Sequence, residues 1–314
     1  MLDARKIVRQ LIHDDGAISD RDVRAAQQAK FALLGRSGVL HFEPDAAVLR
    51  SGRRTATDSS AGSRNASRFL RRPSRHRGSI RHVESAAVGR SGKRQVAGRQ
   101  SRARQGFGVP LLRLDFAALY NKYHGETERN LRESLQAAEA MAPCVLWCDE
   151  IEKGLATSDS DDGVSRRVLG ALLTWMSERK AAVFLVATAN SIEQLPPELL
   201  RKGRFDEIFF VDLPQRSARA DAFAIHLQKR GQTPDAFDLA ALAAASEGFS
   251  GAEIEQAVVA ALYATHADAR VLDQTALLRA LGDTRPLSVI MAERVDWLRQ
   301  WASERCVPAD DPEL

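Results

Sequence analysis

The chain has 314 residues, 44% of them apolar, enough for one large domain or two modest ones and too many for a chain disordered throughout. No apolar run approaches the roughly 18 residues of a membrane span, and Met1 to Asp15 lacks the apolar block of a secretory signal, so neither a membrane protein nor a secreted one is expected. Three cysteines, Cys144, Cys148 and Cys306, are an odd and sparse set that fits a reducing, cytoplasmic compartment better than a disulfide scaffold, and the net charge of +4 hides a sharp internal split.

Residues 3–35 mix polar and apolar positions at helical spacing, and Val39 to Phe42 reads as a short strand. From Val48 to Gly108 the pattern dissolves. Residues 50–104 hold sixteen basic residues against Asp58 and Glu84, a net of +14, which leaves −10 for the rest of the chain. Such an Arg-, Ser- and Gly-rich stretch without a period reads as disordered.

Order returns at Val109. Pro110 to Asp115 is an apolar strand, Glu126 to Met141 a helix with Leu131, Leu135 and Ala138 on one face, and Cys144 to Cys148 a buried strand ending in Asp149-Glu150. Cys144 and Cys148 are expected in the core, since no further metal ligands lie near them. Val164 to Arg179 is a second helix. Val183 to Ala187 is a strand ending in Thr188-Ala189-Asn190, and Ile208 to Val211 is another, closed by Pro214. Strands alternating with helices predict a parallel sheet covered on both faces. Beyond Pro214 the strands stop. Ser217 to Lys229, Asp238 to Ser246 and Ser250 to Ala267 read as helices, the last opened by a Ser250–Glu253 capping box, and a further amphipathic stretch surrounds Trp297 and Trp301.

In an open α/β sheet, ligands bind at the carboxyl ends of the strands. Asp149 stands where a carboxylate can hold magnesium through its waters, and Glu150 where the next one can orient or deprotonate an attacking water. The alternative is an ordinary surface turn. Asn190 can touch a γ-phosphate or the same water, although Asn is also a routine turn residue. Arg201 and Arg204 lie three residues apart beside Gly203 and can reach an anionic transition state on a neighbouring subunit, or form a plain basic turn.

As a set these motifs are specific. Ala142 to Glu150 resembles the Walker B strand of AAA ATPases, Thr188-Ala189-Asn190 their sensor 1, Pro196 to Asp206 their second region of homology, and Gly248 to Ile254 the sensor 2 segment of the helical lid. The resemblance runs from Val109 to Ala267. The wording of Asp149 to Gly154 and of Phe209 to Pro214 is most similar to an uncharacterised AAA group of chloroplast and cyanobacterial genomes with bacterial relatives. The resemblance implies a P-loop NTPase-like α/β fold with a C-terminal helical lid, ATP and Mg2+ as ligands, a homo-hexameric ring and remodelling of a protein or other polymer. It implies that Gly251 and Ala252 pack near the adenine. It also implies that Tyr123-His124-Gly125 is an aromatic-x-Gly pore loop, the alternative being a surface Tyr before a helix. The organisation expected is a helical segment over 1–47, the anomalous segment over 48–108, the α/β core over 109–214, the lid over 215–285 and a tail over 286–314.

One part is missing. A phosphate loop, G-x-x-x-x-G-K-[ST], should precede the Val109 strand, its amides cradling phosphates and its Lys and hydroxyl reaching phosphate and magnesium. The candidate, Gly89 to Arg94, has Arg94 where the hydroxyl belongs and Ala87 where the first Gly belongs. Yet Gly89 to Arg102 can be encoded so that the frame one base later reads G-V-Q-G-S-G-K-S-L-A-A-K-A-V, an intact loop followed by a helix, with a Leu-Leu-Leu strand before it. A compensated frameshift over about Val48 to Gly106 accounts for this and for the arginine excess. In the frame as written, Ala86 to Arg90 is too short and polar for the central strand that should precede the loop, so no strand is expected there. Two other readings stay open: a nucleic-acid-binding protein acting through the basic segment 50–104, although Phe69 and Phe107 are the only aromatics of residues 48–108, and a nucleotide-free pseudo-ATPase serving as an interaction subunit.

Overall fold

A computed structural model of the chain describes residues 26–32, 38–43, 84–88 (backbone only), 109–119, 126–155, 162–201 and 203–309. The expectations for Tyr123-His124-Gly125, for Gly89 to Arg94 and for most of residues 48–108 lie outside these. The chain divides into two compact units, with the boundary between Phe209 and Phe210.

The first unit is a sheet with helices. Its strands are β1 (Leu40–Glu43), β2 (Glu84–Val88), β3 (Leu111–Asp115), β4 (Cys144–Asp149), β5 (Val183–Ala189) and β6 (Glu207–Phe210). They run in the order β1-β3-β4-β5-β2-β6. β3, β4, β5 and β2 are parallel, and β1 adds antiparallel to β3. β4 shows why the sequence chooses this: all five residues from Cys144 to Cys148 are buried, as in a strand covered on both faces, and only Asp149 at its carboxyl end emerges. The helices are α1 (Phe116–Leu119), α2 (Thr127–Ala140), α3 (Glu152–Leu155) and α4 (Asp162–Glu178). α2 buries Leu131, Leu135 and Ala138, the face read from the sequence. α4 buries Val168, Leu172 and Met176. Residues 26–32 are helical, the described part of the helix expected over 3–35.

One expectation is overturned. Ala86 to Arg90 are expected to form no strand, yet Ala86 to Val88 belong to strand β2, paired in parallel with β5 from Glu84 opposite Leu185 to Val88 opposite Ala189. A central strand needs backbone N–H and C=O partners on two sides more than it needs an apolar run, and β5 and β6 supply them. The strand ends at Val88, beside the switch point of the strand order and immediately before the position where the candidate loop begins in the sequence.

The second unit is helical: α5 (Arg216–Gln228), α6 (Leu239–Ala245), α7 (Gly251–Ala267), α8 (Gln274–Gly282), α9 (Leu287–Ile290) and α10 (Ala292–Ser303), with a two-residue strand, β7 (Val307–Pro308). Phe223, Leu227, Leu242, Phe249, Ile254, Val258, Leu277 and Leu281 form its core. Side chains start the helices: Asp238 accepts from the Ala241 N–H, Asp273 from Ala276, and the Ser250–Glu253 capping box is present as expected. α8 was not read from the sequence, although Asp273 is its N-cap. Arg219, only 8% exposed, donates to the Ala243 carbonyl at 3.0 Å and the Pro214 carbonyl at 2.8 Å, and so ties α5 to α6 and to the unit's entry.

Candidate active site

The polar groups read from the sequence converge where β4 and β5 end. Register brings this about: Cys148 lies opposite Ala187, so one step further Asp149 meets Thr188. The Thr188 hydroxyl donates to Asp149 Oδ1 at 2.6 Å and accepts the Glu150 N–H at 3.1 Å. The Ile151 N–H then donates to the Thr188 carbonyl at 3.0 Å, and Glu152 Oε1 accepts the Asn190 N–H at 2.9 Å. Four consecutive residues are thus stitched to the end of β5. This holds Glu150 at a φ of +50°, a left-handed conformation that costs a non-glycine residue about 1–3 kcal/mol and persists only where the surroundings enforce it.

Both oxygens of Glu150 are engaged. Asn190 Nδ2 donates to Oε1 at 3.0 Å, and Lys153 Nζ donates to Oε2 at 2.6 Å. The Glu150 hydrogen bond raises the Lys153 pKa above the usual lysine range. The sequence therefore located Asp149, Glu150 and Asn190, and the structure brings the three together. Sequence reasoning gave no role to Thr188, Glu152 or Lys153. The register of two adjacent parallel strands would have found Thr188. Nothing in the pattern marks Glu152, which is 3% exposed and whose pKa burial raises despite the Asn190 N–H.

The donor set fits hydrated magnesium in one respect: Asp149 Oδ2 has no hydrogen bond among the described residues, while Oδ1 is fixed by Thr188. Among the described residues no three His, Cys, Asp or Glu are grouped so that they could hold a metal ion. Cys144 and Cys148 are core residues, as expected. Cys144 is 1% exposed and burial pushes its thiol up to about 12; burial also raises Cys148, which is fully buried.

The two arginines do not join this cluster. Arg201 is exposed, and Arg204 Nη1 donates to the Leu173 carbonyl at 3.0 Å and to the Ser177 hydroxyl, both on the last turns of α4. Gly203 between them has a φ of +97°, which only glycine adopts without strain. In the second unit, Gly251 and Ala252 open α7, Gly251 half-buried and Ala252 exposed. Glu253 Oε2 accepts the Ser250 N–H at 2.8 Å, and Glu253 Oε1 accepts the Leu287 N–H at 2.6 Å, joining the start of α7 to the start of α9.

Among the described residues, no helix is long and apolar enough to cross a membrane. The model of the family "ATPase family associated with various cellular activities (AAA)" matches residues 94–213. An uncharacterized AAA domain-containing protein ycf46 of Pyropia yezoensis is 44% identical over 199 residues, 62% of this chain and 40% of that protein. Its counterpart in Guillardia theta is 42% identical over 198 residues, 62% of this chain and 39% of that protein. A proteasome-activating nucleotidase of Aeropyrum pernix is 35% identical over 178 residues, 54% of this chain and 43% of that protein. The chain thus spans less than half the length of these relatives. The crystal structure of the FIGL-1 AAA domain superposes with a TM-score of 0.67 at 17% identity, covering 88% of this chain and 95% of that one, and so shares the fold. Parallel sheet, helical C-terminal region and sequence relatives agree: the chain carries an AAA domain, with the fold of P-loop NTPases.

Proposed function

We propose that the protein is built to hydrolyse ATP within a ring of identical subunits, and that the frame of the sequence as written has cost it the phosphate loop. The observation that carries the first half is the fixed placement of Asp149, Glu150 and Asn190 at the ends of β4 and β5, with Asn190 on Glu150 at 3.0 Å. In this reading Asp149 would hold, through water, a magnesium ion supplying positive charge against the phosphates. Glu150 takes a proton from the attacking water as its oxygen bonds to the γ-phosphorus and the bond to the β-phosphate oxygen breaks. Lys153 covers Glu150 Oε2 with a side chain that is 56% exposed, so it can withdraw at little cost when water arrives. Asn190 keeps Glu150 aimed and senses the γ-phosphate. Arg201 and Arg204 act on the neighbouring subunit's nucleotide, with Arg204 leaving its seat on α4.

Gly251 and Ala252 are assigned to the adenine, Tyr123-His124-Gly125 to a pore loop, and a protein or other polymer to the ring as substrate. The likeness to a nucleotidase supports nucleotide hydrolysis. The frameshift rests on the sequence: the shifted frame opens its phosphate loop at the codon after Val88, where β2 ends. The test replaces the residues from Gly89 onward with G-V-Q-G-S-G-K-S and measures phosphate release. The restored protein should hydrolyse ATP with magnesium, and Glu150→Gln in it should still bind ATP while turnover nearly vanishes. Turnover unchanged by Glu150→Gln would remove that residue from its role, and a genomic read whose shifted frame lacks the loop would remove the frameshift.

A further inference from the structure

The proposed reaction leaves one buried carboxylate unused. Glu152 opens α3, is 3% exposed, and makes one side-chain contact with the site: its Oε1 accepts the backbone N–H of Asn190 at 2.9 Å. Its Oε2 is buried without a hydrogen-bond partner among the described residues. A buried carboxylate with one oxygen unpartnered is costly, and an apolar side chain at the same place would avoid the cost.

What the arrangement achieves is geometric. Asn190 is the first residue beyond β5, and among the described residues no backbone ladder bond fixes it. The Glu152 bond fixes it, and Asn190 Nδ2 in turn reaches Glu150 Oε1. Ile151 to Thr188 and Glu152 to Asn190 form a two-point clamp between the start of α3 and the end of β5. α3 is itself held, because Gly154 lies so close to Phe116 that a Cβ there would stand 2.5 Å from the ring.

We propose that Glu152 is a positioning residue that locks the Asn190 backbone so that the Asn190 amide stays on Glu150. Its role is exerted through Asn190 alone. This rests on the hydrolytic reading above for its functional half only, and its structural half stands without it.

The test has two arms. In the chain as it exists, amide hydrogen exchange is followed residue by residue for the parent, Glu152→Ala and Glu152→Gln. Glu152→Ala should speed exchange at Asn190 about tenfold or more while Leu185 and Val186 keep their protection, and Glu152→Gln, which retains an acceptor oxygen, should restore most of it. Unchanged exchange at Asn190 in a folded Glu152→Ala protein overturns the proposal. If Glu152→Ala does not fold, Glu152→Gln decides: Asn190 less protected than its β5 neighbours supports the lock only if Glu152→Asp, which keeps the charge on a shorter arm, loosens it further, and equal protection in both overturns it. In the loop-restored protein, Glu152→Ala should lower kcat about tenfold with KM for ATP nearly unchanged, and Glu152→Gln should recover much of kcat. A loop-restored parent that hydrolyses nothing sinks the hydrolytic reading and leaves the exchange arm to judge Glu152.

Discussion

Thr188→Val isolates the stitch between β4 and β5, since valine matches threonine in shape and lacks only the hydroxyl. That hydroxyl makes two bonds: one to the Asp149 carboxylate at 2.6 Å, of a kind worth about 1.5–3 kcal/mol, and one from the Glu150 N–H at 3.1 Å, worth about 0.5–1.5 kcal/mol. Thr188 is 5% exposed, but Asp149 and Glu150 are half-buried, so water recovers part of the loss. Release of Glu150 from its left-handed conformation recovers a little more. The expected net cost is about 2 kcal/mol, a large share of a total stability of about 5–15 kcal/mol. Thr188→Ser keeps the hydroxyl and loses one buried methyl, for about 1 kcal/mol. Urea unfolding followed by the fluorescence of Trp147 and Trp175 measures both. A Thr188→Val protein within about 0.5 kcal/mol of the parent, or less affected than Thr188→Ser, would show that the hydroxyl does not hold β4 to β5.

Gly154→Ala should destabilise by about 1–2 kcal/mol in the same assay, because the added Cβ meets the Phe116 Cβ and Cγ at 2.8 and 3.0 Å and this outweighs alanine's better helix propensity. Stability should also fall as pH rises from about 9 toward 12: burial raises the Cys144 thiol to about 12, so above the ordinary thiol range the unfolded chain loses a proton that the folded one keeps. Denaturant midpoints against pH check this, and a Cys144→Ala protein should show a shallower decline. Arg204→Ala should cost the chain as written no more than about 1 kcal/mol, yet cut turnover of the loop-restored ring about 10³-fold, with partial rescue when mixed with Glu150→Gln subunits. Absence of any effect on turnover would leave Arg204 as a brace for α4.

The two central parallel strands were legible because Val145 to Cys148 and Val183 to Ala187 are apolar runs, and strands covered on both faces read that way. Asp149, Glu150 and Asn190 were legible as polar groups at the ends of those runs. Thr188 was not, since threonine inside a strand pattern reads as an ordinary strand former and its partners lie 38 and 39 residues away. Glu152 was hidden because Ile151-Glu152-Lys153 looks like a solvent face, and burial of a carboxylate leaves no mark on periodicity. β2 was misread for the opposite reason: Glu-Ser-Ala-Ala-Val lacks the side chains of a central strand, while the pairing that makes it one belongs to the backbone.

On the function proposed above, the site at the ends of β4 and β5 serves a nucleotide that the frame as written cannot grip. Binding of a fluorescent ATP analogue, titrated to millimolar concentration into the chain as written and into the chain carrying G-V-Q-G-S-G-K-S from position 89, tests it most directly. The restored chain should bind saturably and with magnesium, and the chain as written should not bind. Tight binding by the chain as written, or none by a folded restored chain, would contradict it.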